Sequence, residues 1–179
     1  DNPSVPSSSA VPGEDIPGLY QEAEAAGADE SQLAALADAV VTFGEYETSM
    51  QQTFACIRDA GVEVVELGTD ESRGFPILNY ATAASAPGLT EAEVAAATED
   101  CMVRFGKFVD TAWQVYSDEA VEASDARWDR VRAPLLECLS AAGEDLPPDA
   151  SRTEMLAASQ QIMDRGGVDC LTEADFFGE

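Results

Sequence analysis

Residues 42–61, TFGEYETSMQQTFACIRDAG, decide the fold. Thr42 and Glu45 have the S/T-x-x-E spacing of a capping box, which predicts the N-terminus of a helix. Large apolar residues then recur at steps of three and four, which predicts one buried helix face. They are Phe43, Tyr46, Met50, Phe54 and Ile57. Gly61 is well placed to end the helix, so we expect an amphipathic helix with Cys56 in its last two turns.

The end of this helix recurs later in the chain. Residues 56–61 read CIRDAG and residues 138–143 read CLSAAG, 82 residues further on, so both fit C-[IL]-x-x-A-G. Each copy is followed by a second cysteine that is preceded by aspartate. The pattern predicts a degenerate duplication over residues 40–116 and 124–171. Only one of the three connectivities open to four cysteines keeps both bridges inside a unit, and it pairs Cys56 with Cys101 and Cys138 with Cys170.

The cysteine count also indicates a cellular compartment. Four cysteines in a small acidic chain are typical of a secreted disulfide framework. A zinc site usually offers a close C-x2–4-C pair, whereas these gaps are 45, 37 and 32 residues and the chain has no histidine. Disulfides are therefore favoured over free buried thiols and over a metal site, and we expect no cofactor.

The rest of the sequence predicts a mainly α fold of the α+β class, with five or six helices and one small β-hairpin. Helical spacing recurs in segments near 19–26, 33–40, 90–116, 124–143 and 151–166. Pro134 predicts a kink or a break in the segment that contains it. The β-branched residues 62–67 and the extended run 76–82 predict the hairpin, with a turn-rich link between them.

The predicted domain organisation is a tether followed by one domain. Residues 1–15, DNPSVPSSSAVPGED, predict a disordered Pro/Ser-rich tether. Such a tether fits a membrane-anchored lipoprotein and fits a simple disordered terminus equally well. Residues 16–179 are predicted to form one disulfide-stapled helical domain. No apolar run approaches the roughly 18–20 residues needed to span a bilayer, so we expect no transmembrane segment.

The charge balance restricts the partners. The chain has 35 acidic and 9 basic residues and a net charge of −26, and its first basic residue is Arg58. Such a surface repels phosphates and anionic lipids, which argues against nucleic acid and membranes as partners. Cations, basic peptides or a basic protein or envelope component would be attracted. The alternative is that the charge only keeps the protein soluble and monomeric.

Catalytic motifs are scarce in the sequence. Without histidine, the Ser-His-Asp, Cys-His and HExxH arrangements are excluded. A pair of carboxylates could still hydrolyse a glycoside. Glu66, Asp100 and Glu137 are the acids in apolar or disulfide-adjacent contexts, although solvated or capping roles fit them better. We therefore assign no catalytic, cofactor-binding or metal-binding residue.

Four aromatic residues are candidates for exposed contacts with a partner. Phe75 and Tyr80 belong to the predicted hairpin, and Phe176 and Phe177 to the C-terminal tail. The alternative is that they pack the hairpin and the tail onto the helices.

Residues 41–46, VTFGEY, leading into CIRDAG resemble a group of uncharacterised envelope proteins and lipoproteins of actinobacteria. Those proteins have helices that end in C-[MLI]-x-x-A/N-G, followed by a hairpin and a returning cysteine. The likeness covers residues 40–116 well and 124–171 loosely. It implies an extracytoplasmic location and disulfides, and it brings no activity. The chain has no positively charged start followed by an apolar stretch, so any signal peptide is expected to be absent from this sequence, and the Pro/Ser-rich tether is compatible with a lipid anchor upstream of residue 1.

The functional expectation is a non-enzymatic binding or structural module of the cell envelope, secreted or anchored to the outer face of the membrane. Two alternatives stay open. One is a secreted hydrolase that uses a carboxylate pair on cell-wall sugar, and the other is an acidic inhibitor or immunity-type protein for a basic partner.

Overall fold

The computed structural model describes residues 15–176, which form two compact units, residues 15–121 and 122–176. The mainly helical fold, the single antiparallel hairpin and the two disulfides agree with the fold class predicted from the sequence. One half of the proposed duplication lies in each unit. The predicted tether, apart from Asp15, lies outside the described residues, and so does Phe177.

The first unit contains five helices and the hairpin. In chain order they are α1 (Ile16–Ala26), α2 (Glu30–Leu36), α3 (Phe43–Asp59), β1 (Val64–Asp70), β2 (Ile77–Thr82), α4 (Glu91–Cys101) and α5 (Lys107–Thr111). Two π-helical turns, Met102–Gly106 and Ala112–Tyr116, extend α4 and α5 into one continuous helix over residues 91–116. This matches the long helix that the sequence predicts, except for the π turns.

Helix α3 forms the centre of the first unit. The Glu45 carboxylate accepts from the backbone N–H of Thr42 at 2.8 Å, and the Thr42 hydroxyl accepts from the N–H of Glu45 at 3.3 Å, so the predicted capping box is present. Four of the five predicted apolar residues of the face, Tyr46, Met50, Phe54 and Ile57, are at most 1% exposed. Gly61 follows the helix with φ of 87°, as its predicted role requires.

The hairpin lies where the sequence predicts it. β1 and β2 pair antiparallel from Val64 opposite Thr82 to Asp70 opposite Ile77, with a bulge between Glu66 and Gly68. The first strand extends three residues beyond the predicted run. The cause is the bulge, which places residues 68–70 back in register with β2.

Residues outside the helix form hydrogen bonds with backbone groups of the π turn at Met102–Gly106 and of the residues that follow it. The side chain of Gln32 donates to the carbonyl of Val103 at 2.9 Å and accepts from the N–H of Phe108 at 2.8 Å. The carbonyls of Arg104 and Phe105 accept from the N–H of Asp29 and the hydroxyl of Ser49. Helix α2, its N-terminal loop and α3 thus replace the helical hydrogen bonds that this turn lacks.

The second unit is a small helical cluster. Helix α6 (Asp118–Ala141) starts at the end of the first unit and is followed by α7 (Arg152–Asp164) and α8 (Cys170–Glu173). α6 begins six residues earlier than predicted, because the Ser117 hydroxyl accepts from the N–H of Ala120 and caps it. Pro134 lies inside α6, so the predicted break is absent. The short α8 is the one described helix beyond the six that the sequence indicates.

The two predicted disulfides are confirmed. Cys56–Cys101 joins α3 to α4, and Cys138–Cys170 joins α6 to α8, so each bridge lies within one unit. None of the described cysteines is free. Chain-entropy arithmetic assigns roughly 4 kcal/mol to each closed loop. In the described part of the chain, no helix is long and apolar enough to cross a membrane.

Candidate functional site

Acidic residues are unevenly distributed between the two units. Residues 15–121 hold 20 acidic and 4 basic residues, whereas residues 122–176 hold 12 and 5. Within the first unit, residues 15–57 contain eight carboxylates and no basic side chain. Helices α1, α2 and most of α3 therefore carry negative charge alone.

A cavity of about 190 Å³ opens in this acidic unit, between the start of α1, the loop that joins α2 to α3, and the start of α6. We call it the aromatic–acidic pocket. It is lined by Ile16, residues 39–43 and residues 116–119. Two of these residues, Phe43 and Tyr116, are aromatic, and two, Asp118 and Glu119, are acidic. No Lys or Arg is among the described residues that line it.

The loop wall of the pocket is held in an unusual conformation. Ala39 has φ of 61°, in the left-handed region that residues other than glycine rarely occupy. The Asp38 carboxylate accepts from the N–H of Val40 at 3.2 Å and closes the turn. As a result Val40, a large apolar residue, is 59% exposed, while Val41 beside it is buried.

Tyr116 supplies a neutral aromatic wall. Burial raises the pKa of its phenol, and the negative charge of the nearby Asp15 carboxylate raises that pKa further. The negative charge of Glu22 acts in the same direction. The phenol therefore stays protonated at neutral pH.

The acidic wall belongs to the first turn of α6. Asp118 and Glu119 occupy this turn and are exposed. Carboxylates are favourable there because the N-terminus of a helix carries partial positive charge. Since the Ser117 hydroxyl already accepts from the N–H of Ala120, the end of the helix is capped. The pocket therefore presents negative charge to solvent.

A second group of polar residues lies between the hairpin and the helices. Asp110 accepts from the Gln114 amide at 2.7 Å and also hydrogen-bonds to the hydroxyl of Tyr46. The Tyr46 hydroxyl accepts from the N–H of Leu78, and the Gln114 oxygen accepts from Arg73 at 2.9 Å. Burial raises the pKa of Asp110, while these hydrogen bonds and the charge of Arg73 oppose the rise.

The three acidic residues that the sequence places in apolar or disulfide-adjacent contexts are not buried as Asp110 is. Glu66 is exposed, and hydrogen bonds from Gln51 and Arg58 lower its pKa. Asp100 and Glu137 are exposed as well. The carboxyl with the raised pKa is Asp110, which the sequence did not single out because it lies in an ordinary helical pattern.

The candidate contact residues are more buried than predicted. Phe75 is only 4% exposed and packs edge-on against Trp113, so its prediction as an exposed contact residue is wrong. Tyr80 is half-buried, with its ring centroid 4.6 Å from that of Phe54. Phe176 is half-buried against Trp128. For these three residues the structure favours the alternative, packing of the hairpin and tail onto helices.

Two other cavities lie in the first unit. A groove of about 350 Å³ between α2 and α3 is lined by small and polar side chains such as Ala34, Ala35 and Thr48. A cavity of about 180 Å³ lies between α3 and the hairpin. One of its lining residues, Glu66, forms an ion pair with Arg58 at 2.7 Å. Only the aromatic–acidic pocket, among these three, combines more than one aromatic ring with carboxylates.

Metal binding has no support in the described residues, which contain no group of three or more His, Cys, Asp or Glu side chains placed to hold an ion. The chain matches no protein-family model, no curated protein and no solved structure.

Proposed function

We propose that this protein is a non-enzymatic, extracytoplasmic binding module of the cell envelope, and that its first unit binds a basic partner protein. The observation that carries the proposal is the block of eight carboxylates without a basic residue over residues 15–57. A surface of one sign attracts partners of the opposite sign and accelerates their association.

The location rests on two supports. The two disulfides, one inside each unit, are typical of oxidising compartments. The resemblance of residues 40–116 to actinobacterial envelope proteins and lipoproteins points the same way.

The hydrolase alternative has less support from the side chains. A carboxylate pair needs a general acid with a raised pKa at the wall of a cleft. Asp110 has a raised pKa, but it accepts from Gln114 and hydrogen-bonds to Tyr46. The inhibitor alternative uses the same acidic surface as our proposal and differs only in what the basic partner does.

Binding to cationic and anionic peptides of equal length tests the proposal. We expect the full chain to bind an Arg/Lys-rich peptide and not to bind its Asp/Glu counterpart. Its affinity for the Arg/Lys-rich peptide should fall steadily from about 50 to about 300 mM salt. Equal binding of both peptides, or of neither, would refute the basic partner.

A charge-matched pair of variants locates the surface. Glu24, Glu30 and Glu47 are exposed carboxylates of the first unit, and Asp129, Glu137 and Glu173 are exposed carboxylates of the second. Neutralising the first three as glutamines is expected to weaken binding about tenfold, and neutralising the second three about twofold. Equal losses would mean that net charge alone attracts the peptide.

A further inference from the structure

We propose that the aromatic–acidic pocket is the site where an arginine side chain of the basic partner is bound. This inference rests on the proposed function and names the chemical group that the first unit recognises. It follows from the composition of the pocket walls, their rigidity and the size of the cavity.

The pocket offers an apolar surface for the aliphatic part of the side chain. Ile16 and Val41 line the cavity but are at most 3% exposed. The accessible apolar surface is therefore that of Val40, 59% exposed, and of the half-buried Phe43 and Tyr116. Long cationic side chains bury their methylene stems against such residues while the charged head seeks polar groups.

Two aromatic rings fit the flat guanidinium group. Phe43 is fixed by Tyr46 and Trp113, whose ring centroids lie 5.9 and 5.6 Å from its own. Tyr116 is half-buried at the end of the second π turn, just before α6. A cation over such a ring is attracted by the negative face of the π system, and arginine stacks there more readily than lysine. Rings that are already fixed lose little conformational entropy on binding.

The carboxylates complete the site. Asp118 and Glu119 line the cavity, and a carboxylate can accept two parallel N–H groups of a guanidinium. The neighbouring Asp15 and Glu22 add negative charge, as their effect on Tyr116 shows. The Ser117 hydroxyl accepts from the N–H of Ala120 and so satisfies one of the N–H groups at this end of α6.

The cavity has the size of a side chain. Pockets for drug-sized ligands span about 300–1,000 Å³, whereas this one holds about 190 Å³. Val40, exposed at the rim, provides an apolar contact for the partner residues that flank the arginine. The occupant is therefore one side chain presented by a larger partner.

The test uses an arginine-centred basic peptide together with copies in which lysine or citrulline replaces the central arginine. Citrulline keeps the shape and loses the charge. We expect the wild-type protein to bind the arginine peptide about tenfold more tightly than the citrulline peptide and several-fold more tightly than the lysine peptide.

Variants of the pocket give the decisive comparison. Tyr116→Leu removes the ring and is expected to weaken binding of the arginine peptide about tenfold, whereas Tyr116→Phe keeps the ring and should stay within about twofold of wild type. The double variant Asp118→Asn/Glu119→Gln should lose more affinity than the control Asp59→Asn/Glu63→Gln. Thermal unfolding of each variant checks that it is folded.

The outcomes separate this inference from the proposed function. If the basic peptide binds tightly but its affinity does not change with Tyr116→Leu or with citrulline, the pocket is not the arginine site. The proposal of a basic partner would still hold. Equal affinity for the lysine and arginine peptides would overturn the assignment to arginine. Failure to bind any basic peptide would overturn both.

Discussion

The two units share a covalent plan and differ in what they bury. Each has a helix that ends in C-[IL]-x-x-A-G, a later helix opened by a capping box, and one internal disulfide. Among residues 15–176, the buried polar side chains of the first unit are those of Gln32, Ser49, Thr53 and Ser117, and the second unit has one, Ser159. The covalent plan is therefore common to both units, while most of the buried polar side chains, the hairpin and the aromatic–acidic pocket belong to the first unit.

The second disulfide position separates the units further. Cys101 lies at the end of α4, on the capped helix itself, whereas Cys170 begins α8, beyond the capped helix α7. The first bridge thus fixes the helix that continues into the π turn. The second only closes a small apolar cluster around Leu135, Leu139 and Met155.

Removal of the disulfides should give the largest difference between the units. The second unit has 55 described residues, 122–176, and small domains depend strongly on such bridges. We expect Cys138→Ser/Cys170→Ser to cost about 3–5 kcal/mol and to unfold residues 122–176 at 37 °C. Cys56→Ser/Cys101→Ser should cost a similar amount, since this bridge closes the longer loop, 45 against 32 residues, but should leave the larger first unit folded. Urea unfolding monitored by hydrogen exchange would measure both, and loss of the first unit with the second still folded would contradict the comparison.

Gln32 tests the buried polar interior. Gln32→Leu would leave the carbonyl of Val103 and the N–H of Phe108 without their partner, at a cost of about 2–3 kcal/mol. Ser159→Ala is the control in the second unit, because the Ser159 hydroxyl donates only to Met155 within its own helix, and we expect less than about 1 kcal/mol. Equal losses in chemical denaturation would show that the π turn needs no support from α2.

Gly106 tests the close contact between the π turn and α3. A Cβ atom there would lie 2.5 Å from the hydroxyl of Thr53 and 3.2 Å from the sulfur of Met50. Gly106→Ala should therefore destabilise the protein by about 1–3 kcal/mol. Gly44→Ala is the matched control, since nothing lies within 4 Å of that position, and it should stabilise α3 by about 0.5–1 kcal/mol. Thermal unfolding of both variants, compared with wild type, would test these two expectations.

Asp110 should give the smallest effect, seen as a pH dependence. Burial raises its pKa in the folded state, so its contribution to stability is full below the unfolded pKa and is lost as the pH rises through the folded pKa. Relative to wild type, Asp110→Asn should be more stable at pH 7 than at pH 3.5. A difference that does not change between these pH values would mean that the carboxyl is not perturbed.

Local patterns predicted the parts of the fold that local chemistry determines. The capping box at Thr42, the stop at Gly61 and the cysteine pairing are set by residues close in sequence or by the repeated motif. The hairpin segments likewise follow from the change of period after Gly61.

Tertiary contacts determine the parts that could not be predicted. The π turn exists because Gln32, about 70 residues earlier, supplies the missing hydrogen bonds. Asp110 is perturbed because the neighbouring helix and hairpin bury it, which nothing in the sequence around it records. The pocket combines Ile16, residues 39–43 and residues 116–119, so no contiguous motif could have indicated it.

The positions of the disulfides have a consequence for proteolysis. The exposed turn at residues 71–74 lies between Cys56 and Cys101, and residues 144–149, largely exposed, lie between Cys138 and Cys170. A protease that cuts either segment breaks the backbone but releases no fragment, because the ends stay linked through sulfur. A nicked molecule would keep all its residues and gain only the water of hydrolysis, and outside the cell it could stay functional after its first cut.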